Sequence, residues 1–261
     1  MEKTTNNKPK FPTEVVTLPS KGLIYDKDSP LSSGEVEMKY MTAKEEDILT
    51  SPNLIKKGIV LDTLIKSLIV SPIDYNQLIV GDKNGLMVAA RLLSYGKDYT
   101  VEITCPQCSE KQKETIDLST LDPVKIDEEE FSNGNRFGFT LPHSKRSVEF
   151  QILDHNTEKQ ITAELKGLKK VENRTGVSHE MTTRLKNLIL SVDGDTNQGT
   201  IRNFVDNELL ALDSRALRSE IERVQPDVDM TFSFTCSSCS HEDYEMGMPL
   251  SADFFWPKSI W

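Results

Sequence analysis

The chain has 261 residues, 37% hydrophobic and 28% charged, with a formal net charge of −10. That length can bury one large core or two modest ones. No apolar run reaches the ~18 residues of a membrane span; the longest, Gly58 to Val70, is broken by Asp62, Thr63 and Lys66. Residues 1–10 are polar and lack the apolar centre of a signal peptide, so a reducing cytosol is the expected compartment.

In chain order, residues 1–10 are expected to form a disordered tail, and residues 1–40 as a whole an extended N-terminal arm. Prolines at 12 and 19 exclude a continuous helix over residues 11–19. Ser20-Lys21-Gly22 suits a turn, and Glu35 to Tyr40 alternates as a half-buried strand does. Thr42 to Glu45 reads as a capping box and opens a helical lobe over residues 41–96. Its helices are expected at 43–50, 52–70 with a break near Gly58, 72–80 and 85–95. Ser51-Pro52 and Ser71-Pro72 each place an N-cap residue before a proline, and Gly96 is a C-terminal stop.

Val101 to Thr104 and Gln112 to Leu118 read as the strands of a first hairpin, followed by the acidic run Asp127 to Glu130, a solvated loop. An inserted lobe covers residues 137–225. It starts with strands at 137–141 and 147–152 about a turn at Pro142 to Arg146. Helices follow at 157–172, opened by a second capping box at Thr157 to Gln160, and at 179–192, 200–211 and 213–224. Met230 to Thr235 opens a second hairpin, and the chain ends in an aromatic tail, Asp253 to Trp261.

The four cysteines all sit in two copies of one half-motif, Thr-Cys-x-x-Cys-Ser, at Thr104–Ser109 and Thr235–Ser240. Each pair follows a strand. A tight turn lets each pair chelate, and two such turns complete a tetrahedron, so Cys105, Cys108, Cys236 and Cys239 are candidate ligands of one structural zinc per chain. With four thiolates the site is closed and therefore not catalytic. The competing readings are two disulfides, a redox pair, or free thiols. His241 is a further candidate ligand, better read as an exposed hairpin residue. The zinc reading makes residues 97–136 and 226–261 one split ribbon module, with residues 137–225 inserted into it.

The charge is unevenly placed. Residues 1–96 carry 12 positive and 12 negative side chains, and residues 140–225 carry 13 of each. Residues 97–139 carry 5 positive against 10 negative, and residues 226–261 carry 1 against 6. The cysteine-bearing segments thus hold the whole imbalance, and a phosphate backbone would be repelled there. Protein partners are expected, with no nucleic acid, membrane or small-molecule substrate. No H-E-x-x-H, G-x-S-x-G or phosphate-cradling glycine loop is present, and His143, His155 and His179 stand alone on expected loops or polar faces, so no enzyme is expected. In the tail, Phe254, Phe255 and Trp256 fold back onto the body, or part of the tail, Trp261 above all, anchors a neighbouring subunit.

Thr17 to Tyr25, Met41 to Leu49, Arg91 to Gly96, the paired cysteines and Phe254 to Pro257 occur in an order that resembles the baseplate hub assembly proteins of contractile-tailed, T-even-type bacteriophages. The likeness runs over residues 11–258. It implies a structural or assembly protein of the tail baseplate, acting on other baseplate or tail proteins in the host cytoplasm during assembly, with retention in the virion tail baseplate left open, and it implies no catalytic residues. The alternative is a zinc-ribbon regulator that binds nucleic acid or a polymerase. The expected fold is α+β: helical lobes joined by a split four-cysteine zinc ribbon with short antiparallel hairpins.

Overall fold

Residues of the expected N-terminal arm form a two-stranded ribbon, in which β1 (Thr13–Thr17) pairs antiparallel with β2 (Glu35–Lys39). The computed structural model describes residues 12–250, Phe254 and Phe255; the tail of residues 1–10 lies outside the described residues. Between the strands, Lys21 and Gly22 take positive φ, 51° and 78°. A Cβ on Gly22 would lie 2.6 Å from the Gly34 nitrogen and from the Ser32 carbonyl oxygen, so this turn requires glycine.

Four helices follow: α1 (Ala43–Leu49), α2 (Pro52–Lys57), α3 (Val60–Leu68) and α4 (Val80–Tyr95). The capping box is formed, with the Thr42 N–H donating to the Glu45 carboxylate at 3.0 Å and the Thr42 hydroxyl at 2.6 Å. Ser51 and Pro52 open α2 as the sequence predicts. The helix expected over 72–80 does not form. Ser71, its expected cap, instead accepts the Glu37 N–H of β2 at 2.8 Å, and only a short 3-10 turn, Tyr75–Gln77, remains. Helix α4 starts at Val80, earlier than expected, and a Cβ on its Gly81 would lie 1.7 Å from the Pro226 carbonyl oxygen. The helix and the returning chain touch backbone to backbone at that point.

Asp82 on α4 is fully buried and ties the arm down. It accepts the Ser20 N–H at 2.9 Å, the Ser20 hydroxyl at 2.7 Å and the Tyr25 hydroxyl at 2.5 Å. Burial pushes its carboxyl pKa up, and these three donors oppose the shift. At the other end of α4 the buried Arg91 donates to the carbonyls of Gly96 at 2.9 Å and Asp98 at 3.0 Å, turning the chain into the first cysteine hairpin.

That hairpin is β3 (Asp98–Thr104) and β4 (Lys111–Asp117). The acidic run beyond it forms a 3-10 turn, Glu128–Phe131, held by Lys21–Glu128 at 2.6 Å and Arg223–Glu130 at 2.7 Å. The strands β5 (Phe137–Thr140) and β6 (Ser147–Phe150) form as expected. Helix α5 (His155–Thr175) starts before the expected capping box, because Asp154 takes the N-cap and accepts the Thr157 N–H at 2.8 Å. The helix expected over 179–192 ends early: α6 covers Glu180–Leu188, and Ile189–Val192 is a strand, β7, antiparallel to β6. Ile189 and Val192 fit a helical face by spacing, but β-branched residues next to the open edge of β6 gain a ladder of backbone bonds there.

Helix α7 (Gln198–Asn203) continues into a π turn at Phe204–Glu208; α8 (Ala211–Val224) and the second hairpin, β8 (Thr231–Thr235) with β9 (Glu242–Gly247), complete the chain. The fold is therefore α+β, with mixed helices and small antiparallel sheets. No helix among the described residues is long and apolar enough to cross a membrane.

Two apolar cores result among the described residues. One gathers Met38, Leu64, Leu68, Leu86, Tyr99 and Phe234 among others, and the second gathers Phe137, Phe150, Leu185, Ile201, Phe204 and Leu217 among others. Tyr25 packs against both. Asp82→Ala leaves the Ser20 and Tyr25 donors unpaired in the interior, and is expected to cost about 2–4 kcal/mol in urea unfolding. An unchanged unfolding midpoint would show that the arm is held by something else.

Candidate metal centre

Each Cys-x-x-Cys turn sits at the tip of its hairpin, and the two turns repeat one backbone conformation. The Cys105 N–H donates to the Glu110 carbonyl at 2.8 Å and the Ser109 N–H to the Cys105 carbonyl at 2.9 Å. In the second turn, the Cys236 N–H donates to His241 at 2.8 Å and the Ser240 N–H to Cys236 at 3.0 Å. The serine after each pair takes positive φ, 61° at Ser109 and 57° at Ser240. The doubled sequence motif is a doubled structure.

The two tips face each other. The four sulfurs lie within 4.8 Å of one another, with Cys105 Sγ 3.7 Å from Cys239 Sγ and Cys108 Sγ 3.6 Å from Cys236 Sγ. A disulfide needs about 2.05 Å between sulfurs. A tetrahedron with metal–sulfur bonds of about 2.3 Å has sulfur–sulfur edges of about 3.8 Å, which the two cross-hairpin separations approach. The donor set therefore fits a thiophilic tetrahedral ion, and the cluster could hold one. Cys105 and Cys236 are buried, while Cys108 and Cys239 are exposed, so the cluster is open on one side. His241 contributes its backbone carbonyl to the turn and is not one of the clustered groups.

Backbone N–H groups favour thiolate in the cluster. Those of Cys239 and Ser238 hold the Cys236 thiol down at about 7. The Glu110 N–H acts likewise on Cys108, but the crowded neighbouring sulfurs outweigh it and push that thiol up to about 12. One negative charge is accommodated readily and further ones repel, the situation that a bound cation reverses.

Sequence reasoning missed Gln112, which stitches the hairpins together. Its side-chain amide donates to the Thr235 carbonyl at 3.0 Å and accepts the Ser237 N–H at 2.8 Å. Its only sequence signal is its position on the strand that leaves the first turn. Further back, the Val124 N–H donates to the Asp227 carbonyl and the Asp229 N–H to the Asp122 carbonyl, both at 2.8 Å. The stem below the cysteines is therefore also paired.

Phe254 and Phe255 are in the first core, 2% and 3% exposed. Phe254 meets Tyr99 edge to face at 5.1 Å, and the Tyr99 hydroxyl donates to the Pro249 carbonyl at 2.9 Å. Phe255 meets Phe254 edge to face at 4.9 Å, so both rings are folded back into this core and removed from water. Trp256 and Trp261 lie outside the described residues. His155, expected on a loop or polar face, is 5% exposed and begins α5.

The buried Asp82 and the bridging Gln112 join elements distant in sequence, while the buried Arg91 fixes the local turn from α4 into the first hairpin. The family model described as "T4 bacteriophage base plate protein" matches residues 13–256. The chain belongs to that family, and is a structural protein of the phage baseplate class. No curated protein and no solved structure matches it. The motifs that carry the resemblance are the joints of the fold: Ser20 and Tyr25 lock the arm, Thr42 and Glu45 cap α1, and Arg91 turns α4 into the cysteine hairpin.

Cys105→Ser removes one buried sulfur from the cluster. It is expected to lower the melting temperature by roughly 6–12 °C, as a loss of ~3 kcal/mol does in a chain of this size. The same melting curve as the parent, recorded in zinc-containing buffer, would contradict a structural role for the cluster.

Proposed function

We propose that the chain is a structural or assembly protein of the hub region of the tail baseplate, working by protein–protein contact and stiffened by one structural zinc. Cys105, Cys108, Cys236 and Cys239 are its ligands, and the two hairpins are the halves of one split ribbon. The observation that carries this reading is the meeting of two cysteine pairs whose members Cys108 and Cys236 stand 128 positions apart. A metal there supplies no chemistry beyond a rigid tetrahedral tie between the hairpins.

The ribbon of residues 97–136 and 226–261 joins a helical lobe of residues 41–96 to the inserted lobe of residues 137–225, with residues 1–40 as the arm. A second core centred on residues 137–224 supports setting the inserted lobe apart, while arm, helical lobe and ribbon share the first core. Trp256 and Trp261 remain the candidate anchors for a neighbouring subunit, since aromatic side chains dominate interface energetics. The protein acts in the host cytoplasm while the baseplate is built and stays in the virion tail. It has no catalytic role.

Charge disfavours a nucleic-acid ribbon. The hairpin segments carry 5 positive against 10 negative side chains and 1 against 6, and thiolates coordinated to zinc would add to the negative side. In a filter-binding assay at physiological salt the protein is expected to retain no duplex DNA, and in fractionated phage tails it is expected to co-purify with baseplate hub proteins. Tight, salt-dependent DNA binding by a protein absent from the tail fraction would overturn the reading in favour of a zinc-ribbon regulator.

A further inference from the structure

Away from the cysteines, a cleft of about 680 Å³ opens between the two cores, with α2, α3 and α4 on one side and α5, α6 and α8 on the other. Its inner surface is apolar, with Val80, Leu188 and Ile221 among the lining, and the exposed Ile59 stands at its edge. The polar groups around it are mostly cationic. Lys83 pairs with Asp62 at 2.9 Å, and Arg184 with Glu158 at 2.7 Å. Lys57 and Lys166 line the same cleft without a carboxylate partner among the described residues, and Lys159 meets only the neutral Asn76, at 2.9 Å. In a chain of net charge −10 this is a local excess of positive charge.

A second observation points the same way. His155 lines the cleft and is 5% exposed. Its Nδ1 lies 2.9 Å from the Lys83 ammonium, which has only protons to give, so Nδ1 is the acceptor and the ring proton sits on Nε2. That Nε2–H is buried and has no hydrogen-bond partner. The facing oxygen of Asp62, Oδ2, lies 3.5 Å from Nε2, while Tyr75 at 2.7 Å and Lys83 at 2.9 Å both bind its other oxygen, Oδ1. The imidazole N–H is thus a buried donor with room for a further acceptor, and around it the cleft lining sets Lys57, Lys83, Lys159, Lys166 and Arg184 against two carboxylates, Asp62 and Glu158.

We propose that this cleft is a docking site for an acidic segment of a partner protein, with an apolar side chain entering the cleft and flanking carboxylates meeting Lys57, Lys159 and Lys166. Charge complementarity selects the acidic segment, and the apolar lining selects a peptide over a bare anion. Because the cleft is walled by both cores, an occupant would also brace them against each other. This inference rests on the reading that the chain works by protein contact, but not on the metal; zinc content and binding at the cleft can each fail without the other.

The test is fluorescence anisotropy on the full-length protein with a labelled peptide carrying one leucine between glutamates. Saturable binding is expected. It should weaken with added salt and be weakened about tenfold or more by the double charge reversal Lys57→Glu with Lys166→Glu, two exposed positions. A lysine-for-glutamate peptide should not bind. Circular dichroism of the double variant, matching the parent, keeps misfolding from imitating the result. Absence of saturable binding, binding indifferent to the charge reversal, or binding of inorganic phosphate alone would each overturn the proposal.

Discussion

Two hairpin tips far apart in the chain must meet, and several joints of the structure serve that closure. Cys108 and Cys236 are 128 positions apart, and closing a loop of that length costs roughly 4 kcal/mol beyond a constant. The protein divides this cost among several ties. The stem pairs residues 122–124 with 227–229, Gln112 bridges the hairpins, and the sulfurs come within 4.8 Å. On our reading zinc closes the set, and structural zinc sites supply apparent binding energies of about 10–16 kcal/mol, several times the closure term. The metal is then the decisive contribution, and the paired stem pre-positions the ligands for it.

Helix α4 is where the closure is anchored. Gly81 lets the Pro226 backbone pass against the helix, Asn84 donates to the Asp227 carboxylate at 3.0 Å, Asp82 holds the arm, and Arg91 launches the first hairpin. One helix thus touches the arm, the outgoing hairpin and the returning chain. The cleft between the cores opens beside the same helix, where Lys83 reaches His155 of α5. On the two proposals made above, a metal tie at the cysteines and a positively charged cleft beside α4 would give a body fixed at one joint and able to receive a partner at another.

What the sequence could tell depended on the range of the interaction. The capping box at Thr42, Ser51-Pro52 and the doubled Cys-x-x-Cys turns are local, and their chemistry is complete within a few residues. Ser71 and Thr157 carry the same local signals but start no helix: a long-range bond ties Ser71 to β2, and a competing local cap, Asp154, starts α5 three residues before Thr157. Ile189 to Val192 could follow either period, and only the waiting edge of β6 selects the strand. The cysteine pairing was legible because two identical half-sites demand a common centre. Gln112, Asp82 and the His155 cleft were not, since a lone glutamine, aspartate or histidine says nothing until its distant partners are in place.

The central claim is that the four sulfurs hold a metal. Metal analysis of the purified protein tests this most directly: the account predicts about one zinc per chain, released together with loss of cooperative unfolding when a strong chelator is added. A fully folded, metal-free protein, whose melting is unmoved by chelator and zinc alike, would contradict it.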